Sequence, residues 1–335
     1  MKNMKKILIT GAGSFIGTSF KKYIESYKNH AEYQISVMDT LTGMIVSDDT
    51  NISESDANAE ETENTWNFSG FDVVFHVAGI AHADVGNVSE ERKELYRKVN
   101  TELAIETAKK AKASGVGQFI FMSSAIVYGA SSPIGKEKII TKDTKPEPEN
   151  FYGESKLNAE TGLLKLMEND SESVKKTDFP DTTDESKTFN VVILRPPMIY
   201  GPGCKGNYNS LRKFALKFPV FPKVANERSM LYIDNLCEFV RLMIDNEESG
   251  IFHPANRELS NTSEMVKMIA EAHGKKKALM GGLTWLLKLL SHATGLVNKA
   301  FGNLIYAEEL AEYKENYRVY SLADSIRITE EQTED

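Results

Sequence analysis

The feature that most constrains the fold is a short apolar run that stops at a glycine-rich turn. Residues 6–10 (KILIT) are rich in β-branched side chains and end at Gly11, and the apolar positions of residues 15–27 then follow helical spacing. A second apolar run, residues 34–38, ends at Asp39. This order of strand, glycine turn, helix and strand predicts a β-α-β unit, the opening of a parallel sheet of the kind that binds nucleotides.

Three more apolar runs, residues 72–76, 119–123 and 190–195, continue the alternation. Long helical patterns at residues 90–113 and 155–167 separate them. Together they predict an α/β fold with a Rossmann-type, doubly wound parallel sheet. The all-α and all-β classes are excluded.

The predicted domain boundary lies near residue 196, because the alternation fades there and helices with loops dominate. We expect a nucleotide-binding domain at 1–196 and a smaller, mostly helical substrate-binding region at 197–335, to which part of the sheet edge is allowed to extend. Two polar stretches interrupt the scheme. Residues 47–65 contain seven acidic and no basic side chains and obscure the third strand expected there, and residues 168–187 are predicted to be a surface insertion.

Charge and cysteine content exclude several classes of protein. The chain has 48 acidic and 40 basic residues, a balance that disfavours a nucleic-acid-binding surface. Its two cysteines, Cys204 and Cys237, are not in a CxxC spacing, which excludes a disulfide framework and a cysteine-rich zinc site, and no other spacing suggests a metal. The sequence indicates neither an export signal nor a bilayer-spanning run. We therefore expect a cytoplasmic protein in a reducing compartment.

The glycine turn suits a dinucleotide, because glycines let backbone amides approach a pyrophosphate at the start of a helix. The predicted cofactor-binding turn comprises Gly11, Gly13, Ser14, Phe15, Ile16 and Gly17. Asp39 lies 22 residues after Gly17, at the end of the second strand, where a carboxylate accepts hydrogen bonds from ribose hydroxyls. No Arg or Lys stands beside Asp39 to receive a 2′-phosphate, which favours NAD over NADP. The alternative for the glycine motif is a tight turn without a ligand, and the alternative for Asp39 is an aspartate that only forms part of a turn.

Tyr152 and Lys156 are four residues apart and therefore share one face of the predicted helix. A phenol with an unperturbed pKa near ~10 is a poor base at neutral pH, and a neighbouring ammonium together with a nicotinamide charge lowers that pKa. Ser123 and Ser124 come at the end of the strand predicted at 119–123, at the sheet edge where ligands bind. These residues predict a proton-transfer site. The alternative for the Tyr-Lys pair is a solvated helix face.

Four motifs in this order resemble those of the extended short-chain dehydrogenase/reductases. They are TGxxxxxG at residues 10–17, HVAG at 76–79, SSAxVYG at 123–129 and YxxxK at 152–156. More narrowly, and over nearly the whole chain, the sequence resembles the NAD-dependent nucleotide-sugar epimerase/dehydratase family. That family usually has a glycine where this chain has Ser14, a small residue that still fits the turn.

The resemblance implies roles at the reacting centre. Tyr152 is the expected general acid/base, Lys156 the cation that lowers its pKa and binds the nicotinamide ribose, and Ser124 the partner of the sugar O4. Further cofactor contacts are implied for Ala78, Gly79, Asn100, Ser123 and Pro197. For Asn100, a helix-surface amide is the alternative interpretation.

Three further residues, besides Ser124, are implied to contact the substrate. Arg228 matches an arginine that grips the nucleotide diphosphate, a bidentate task suited to a guanidinium, and Asn207 is expected nearby. His82 is expected to face the sugar. The alternatives are a surface charge for Arg228 and a hydrogen-bonded pocket wall for His82.

The choice of reaction stays open on the sequence. Dehydratases of the family have an Asp-Glu pair where this chain has Ala125 and Ile126, so dehydration is disfavoured. Asp39 suits a retained NAD and favours a 4-epimerase of a UDP-hexose or UDP-N-acetylhexosamine. Residues 76–82 and 195–207 also resemble NAD(P)H-dependent 4-reductases of 4-keto-6-deoxy-N-acetylhexosamines in surface-polysaccharide biosynthesis. A non-catalytic NAD(P)-binding sensor is the alternative of another class, disfavoured because the three catalytic residues are all present.

Two expectations concern surfaces. Apolar residues recur at three- and four-residue steps in residues 283–305, which predicts one or two helices packed inside the substrate-binding region. The alternative there is an interfacial helix that brings the enzyme to a lipid-linked sugar. The helical patterns at 90–113 and 155–167 match those that pair subunits in the family, which implies a homodimer.

Overall fold

The structure is a computed structural model that describes residues 4–40, 45–46, 66–80, 89–174, 188–283 and 301–333. A seven-stranded sheet forms its centre. The strands are β1 (Lys5–Thr10), β2 (Tyr33–Met38), β3 (Ile45–Val46), β4 (Val73–His76), β5 (Gln118–Met122), β7 (Asn190–Leu194) and β11 (Gly250–Phe252). Their spatial order is β11-β7-β5-β4-β1-β2-β3, and all pairings are parallel except that of β3 with β2.

Shorter strands, nine α-helices and three short 3-10 or π-helical segments complete the described part of the chain. The strands form parallel pairs, namely β6 (Ile139–Ile140) with β13 (Ile305–Tyr306), β8 (Met198–Tyr200) with β10 (Met230–Tyr232), and β9 (Val220–Pro222) with β12 (Ala278–Met280). The helices are α1 (Phe15–Ser26), α2 (Glu90–Tyr96), α3 (Leu103–Ala113), α4 (Phe151–Val174), α5 (Asn207–Lys217), α6 (Ile233–Asp245), α7 (Thr262–Ala272), α8 (Glu308–Ala311) and α9 (Leu322–Gln332).

Helices cover both faces of the sheet, and the central strand β1 is therefore apolar on both sides. Ile7 and Ile9 belong to the core that contains Phe20 of α1, whereas Leu8 belongs to the core that contains Leu163 of α4. The three β1 side chains are fully buried. Because successive strand residues point to opposite faces, the uninterrupted apolar run of β1 specifies a strand buried between two layers of helices.

The predicted α/β fold with a Rossmann-type parallel sheet is confirmed. The strand predicted at 72–76 corresponds to β4, and those at 119–123 and 190–195 correspond to β5 and β7. β11 comes from the second half of the chain and pairs with β7, so the sheet continues beyond residue 197 as the sequence allowed. The division into functional regions at 196/197 stays a prediction.

Two helices differ from their predicted extents. The helix expected at 90–113 is divided by a π-helical segment, Arg97–Glu102. α4 begins at Phe151 because the Asn150 side chain accepts a hydrogen bond from the amide of Gly153 at 2.8 Å, an N-cap interaction. α4 also continues to Val174, through the first residues of the predicted surface insertion.

Some predicted segments lie outside the described residues. They are the acidic stretch at 47–65, residues 175–187 of the insertion, and residues 284–300 of the amphipathic stretch. Among the helices that are described, none is long and apolar enough to cross a membrane.

Candidate active site

The carboxyl ends of β1, β4, β5 and β7 meet at one edge of the sheet, as those of neighbouring parallel strands must. The register pairs Thr10 with His76, and Met122 with Leu194. The residues that follow each strand are therefore neighbours in space although they are far apart in the sequence. The glycine turn follows β1, and Ser123 and Ser124 follow β5.

The glycine turn packs against the end of β4 too closely for a side chain. Gly11 has a φ of +92°, and a Cβ there would lie 2.9 Å from the Cα of Ala78. Gly13 also has a positive φ, +74°, but a Cβ there would meet nothing within 4 Å. A Cβ at Gly17 would lie 2.8 Å from the Ser14 hydroxyl oxygen. Gly11 and Gly17 thus allow close backbone packing, and Gly13 leaves the outer side of the turn open.

Ser14 has a structural role that explains why it can replace a glycine. Its hydroxyl oxygen accepts a hydrogen bond from the amide of Gly17 at 3.1 Å and caps α1. The amides of Phe15 and Ile16 belong to the first turn of α1, where the helix itself offers no acceptor, so they suit an anion. Asp39 directly follows β2, and the Met38 carbonyl before it accepts from the amide of Gly11 at 3.1 Å. The predicted diphosphate and ribose contacts are thus brought together.

Gly79 forms the other wall of this edge. It is exposed, and a Cβ there would lie 3.1 Å from Oδ1 of Asn100 and 3.2 Å from Nζ of Lys156. A side chain at residue 79 would therefore fill the space beside the predicted catalytic lysine, and glycine leaves that space free. We call this space the cradle. Together with the glycine turn and Asp39, this cradle fits a dinucleotide.

Asn100 is buried, which corrects its interpretation as a helix-surface amide. Its Oδ1 accepts from the amide of Ile80 at 2.8 Å, and its Nδ2 donates to the carbonyl of Ile80 and to the hydroxyl of Ser155, both at 3.1 Å. Asn100 lies in the π-helical segment, where the backbone is locally widened. It ties the loop after Gly79 to α4 and so holds two walls of the site together.

The predicted catalytic residues come together at the sheet edge. Tyr152 and Lys156 lie one turn apart on α4, and the Ser124 hydroxyl at the end of β5 acts to lower the pKa of the Tyr152 phenol. Lys156 is buried, and its Nζ donates to the Met122 carbonyl at 2.8 Å and lies 4.7 Å from the centre of the Phe121 ring. The solvated helix face that was the alternative is excluded for Lys156.

Burial dominates the electrostatics of this group. It raises the pKa of Tyr152 to about 12, with the Ser124 hydrogen bond acting in the opposite direction. It lowers the pKa of Lys156 to about 8, opposed by the charge of Glu160. The phenol therefore keeps its proton at neutral pH in the protein alone, and an additional positive charge beside it would favour the phenolate.

A buried ion pair lies directly behind the catalytic residues and was missed by the sequence analysis. Glu160 accepts from Nε of Arg195 at 3.1 and 3.2 Å and from Nη2 at 2.5 Å, and it also accepts from the hydroxyl of Ser123. Nη1 of Arg195 donates to the Tyr128 hydroxyl at 2.7 Å, and that hydroxyl bonds His253. Ser123 is thus held from inside the protein. The available signal was spacing, since Glu160 follows Lys156 by four residues.

His76 ends β4 beneath the site. Its Nδ1 is 2.8 Å from the Thr10 hydroxyl, whereas its buried Nε2 has no partner within the described residues. Burial and, to a lesser extent, the charge of Lys156 lower the pKa of His76 to about 3. The imidazole is therefore neutral at physiological pH, and it stacks on the rings of Phe119 and Phe121.

The predicted cofactor residue Pro197 and the predicted substrate residues Asn207 and Arg228 follow β7 in the chain. Pro197 is buried after β7, and the carbonyl of Pro196 accepts from the amide of Ala125 at 2.8 Å. Arg228 precedes β10, which pairs with β8; it is only partly exposed, and burial lowers the pKa of its guanidinium, so it is not a simple surface charge. Asn207 is the exposed first residue of α5. His82 lies outside the described residues.

Comparisons with known proteins agree with this geometry. Residues 7–253 match the model of the NAD dependent epimerase/dehydratase family. The chain is 31% identical over 312 residues to a UDP-glucose 4-epimerase of Vibrio cholerae, covering 90% of this chain and 87% of that protein. It is 27% identical over 275 residues to an N-acetyl-alpha-D-glucosaminyl-diphospho-ditrans,octacis-undecaprenol 4-epimerase of Escherichia coli O157:H7, covering 81% of this chain and 73% of that protein.

Solved structures share the fold at lower identity. A UDP-glucuronic acid 4-epimerase from Bacillus cereus, in complex with NAD, superposes with a TM-score of 0.66 at 18% identity over 98% of both chains. MoeE5 in complex with UDP-glucose and NAD gives a TM-score of 0.63 at 17% identity, again over 98% of both chains. Other similar folds bind NADP or NADPH.

Proposed function

The chain belongs to the NAD-dependent epimerase/dehydratase family, and from this premise we propose that it is a 4-epimerase of a UDP-linked hexose or N-acetylhexosamine. The observation that carries the proposal is that Tyr152 and the buried Lys156 lie one turn apart on α4, at the edge where Ser124 follows β5 and which fits a dinucleotide. The curated relatives that are 4-epimerases support the choice of reaction.

The protein's own residues would hold the dinucleotide in three places. The amides of Phe15 and Ile16 at the start of α1 would bind its diphosphate, Asp39 its adenosine ribose, and Lys156 its nicotinamide ribose. When bound, NAD⁺ would supply the hydride chemistry at the sugar C4, first accepting the hydride and, once reduced, returning it to the opposite face of C4. Its positive charge also favours the phenolate form of Tyr152.

Proton transfer is the task of the residues on α4 and after β5. Ser124 holds the C4 hydroxyl, and Tyr152 removes its proton as the C4 hydrogen leaves as a hydride, which produces a 4-keto sugar. After the sugar has turned, Tyr152 returns the same proton to O4. Lys156, as an ammonium, stabilises the phenolate throughout. The sum of the two half-reactions inverts C4 without net oxidation.

The residues after Ser124 argue against dehydration. Removal of the C5 proton and of the C6 hydroxyl needs additional acid/base groups. Ala125 and Ile126 occupy the positions that follow Ser124, and neither side chain can transfer a proton. A reaction confined to C4 is therefore favoured.

Substrate recognition is proposed for residues 197–335. Arg228 would bind the diphosphate through its guanidinium, with Asn207 beside it. A homodimer that pairs through α2, α3 and α4 is also proposed; light scattering would measure its mass. Leu95 of α2 is exposed and apolar, as such an interface requires.

The first test is to denature the purified protein and identify the released nucleotide by chromatography and mass. Near-stoichiometric NAD⁺ supports a 4-epimerase that retains its cofactor. An empty site that later prefers NADPH would point to a 4-reductase of a 4-keto sugar instead.

The second test is turnover on a panel of sugars. UDP-glucose and UDP-N-acetylglucosamine are the expected substrates, and a lipid-linked N-acetylglucosamine diphosphate belongs in the panel because one relative is named for it. Inertness toward every UDP-sugar, with the protein loaded with NAD⁺, would refute the proposed substrate class.

A further inference from the structure

An apolar patch lies at the C-terminal end of α5 and on the neighbouring β9/β12 pair, far along the chain from the catalytic residues. Phe214 and Phe218 stack at 5.8 Å between ring centres and are 48% and 44% exposed. Val220 and Met280 are exposed on β9 and β12, and Ala278 pairs with Val220. We call these five residues the Phe214 patch.

The patch rests on a packed base. Phe221 alternates with Val220 along β9, is buried, and lies 6.4 Å from Phe214 and 5.7 Å from Phe301 between ring centres. The exposed rings are therefore held on a formed surface. Phenylalanine is usually buried, and a contiguous apolar surface on a soluble fold marks an interaction site.

Basic residues lie beside the Phe214 patch: Nζ of Lys217 is 5.6 Å from the centre of the Phe218 ring, and the amide of Lys223 donates to the Met280 carbonyl at 2.8 Å. Residues 201–226 contain five basic and no acidic side chains, and residues 272–283 contain three lysines and no acid. The whole chain has a net charge of −8, so these two segments reverse its sign locally. Exposed lysines in them are Lys205, Lys213, Lys217, Lys223, Lys275 and Lys276.

Some of this charge has a local structural role. Nζ of Lys275 donates to the Leu216 carbonyl at 3.2 Å, and Nζ of Lys277 donates to the Phe218 carbonyl, so both stabilise the carboxyl end of α5. Lys213 on α5 and Lys276 before β12 are exposed. Helix capping thus accounts for part of the cluster, and the excess charge remains on the surface around the patch.

We propose that the Phe214 patch and its lysines dock the enzyme on an anionic lipid bilayer. Aromatic and aliphatic side chains insert at the level of the headgroups, and lysines around them are attracted by the lipid phosphates. A second copy of the same patch fits poorly, because two lysine rims would repel each other. The site goes beyond the proposed epimerase activity and does not depend on it.

The test is co-sedimentation of the full chain with phosphatidylcholine vesicles, prepared with and without phosphatidylglycerol. We expect binding to the anionic vesicles, weak binding to the neutral ones, and loss of binding as salt is raised. The double variant Phe214→Ser/Phe218→Ser and the charge variant Lys213→Glu/Lys217→Glu/Lys276→Glu should each bind at least about tenfold more weakly.

Matched controls come from elsewhere on the surface. Ile139→Ser/Leu259→Ser removes two apolar side chains that are 50% and 41% exposed, and Lys28→Glu/Lys109→Glu reverses two exposed lysines. Both controls should bind as the wild type does. Circular dichroism checks that every variant is folded. If the phenylalanine variant does not fold, the charge variant still tests the proposal.

Three results would overturn the proposal. The first is a wild-type protein that stays in the supernatant with anionic vesicles. The second is undiminished binding of the folded charge variant. The third is a dimer that the wild type forms and the folded phenylalanine variant loses, which would assign the patch to self-association.

Discussion

Two buried charges one turn apart on α4 are treated in opposite ways. Nζ of Lys156 donates a hydrogen bond to the Met122 carbonyl, and burial lowers the pKa of Lys156 to about 8. Glu160 forms a buried ion pair with Arg195 and also accepts from Ser123. The ion pair of Glu160 holds strand ends in place. The charged form of Lys156 is destabilised by burial, so its pKa depends on the charges near it. The same burial thus serves structure at one position and chemistry at the next.

The largest expected effect is on the phenol that Lys156 acts on. Tyr152→Phe removes the group that carries the proton, so turnover should fall by about 10²–10⁴-fold while bound NAD⁺ is retained, since general acid–base groups contribute on that scale. Steady-state turnover and nucleotide release after denaturation measure the two quantities. Unchanged turnover would overturn the assignment of Tyr152.

The variant Glu160→Ala tests the structural role of the ion pair between Glu160 and Arg195. It leaves the Arg195 guanidinium buried without its carboxylate, which should lower the free energy of unfolding by about 3–5 kcal/mol. Urea denaturation followed by circular dichroism measures the loss. Glu168→Ala, an exposed carboxylate on the same helix, is the matched control and should change stability little. Equal losses in the two variants would contradict the structural role of the ion pair.

The variant Lys156→Met tests the chemical role of the buried lysine. It should stabilise the protein while abolishing most turnover. The pKa of Lys156 is about 8 in the folded protein against 10.5 as the reference, so folding carries the full desolvation cost below pH 8. Net of the lost hydrogen bond, the gain should be about 2 kcal/mol there and should shrink as pH rises from 8 towards 10.5. Urea denaturation across this range measures it. A variant less stable than the wild type at neutral pH would contradict the argument.

A smaller effect is expected at Ser124. Ser124→Ala removes the hydrogen bond that opposes the rise in the pKa of Tyr152, and it also removes the proposed partner of the sugar O4. We expect about a tenfold loss of turnover, with the pH for half-maximal turnover moved upwards because the phenol is harder to deprotonate. Turnover measured across pH for the variant and the wild type checks both the loss and the shift. An unshifted profile would show that Ser124 does not influence the pKa of Tyr152.

The sequence alone was sufficient for the parts of the site that depend on local order. An apolar run followed by glycines identified β1 and its turn, and the four-residue spacing of Tyr152 and Lys156 placed them on one helix face. Both inferences succeed because strand and helix periods relate residues that are close in the chain. The alternation of strands and helices identified the parallel sheet for the same reason.

Contacts between distant residues were decided by the tertiary structure. Glu160 and Arg195 are 35 residues apart, and only the packing of α4 against the end of β7 makes them partners. Asn100, in the π-helical segment, is buried and links Ile80 to Ser155 through its side-chain hydrogen bonds. β11 joins the sheet by pairing with β7 from the other half of the chain. Such contacts have no period in the sequence, because they are selected by the fit of whole elements, and charge, burial and pKa follow from that fit.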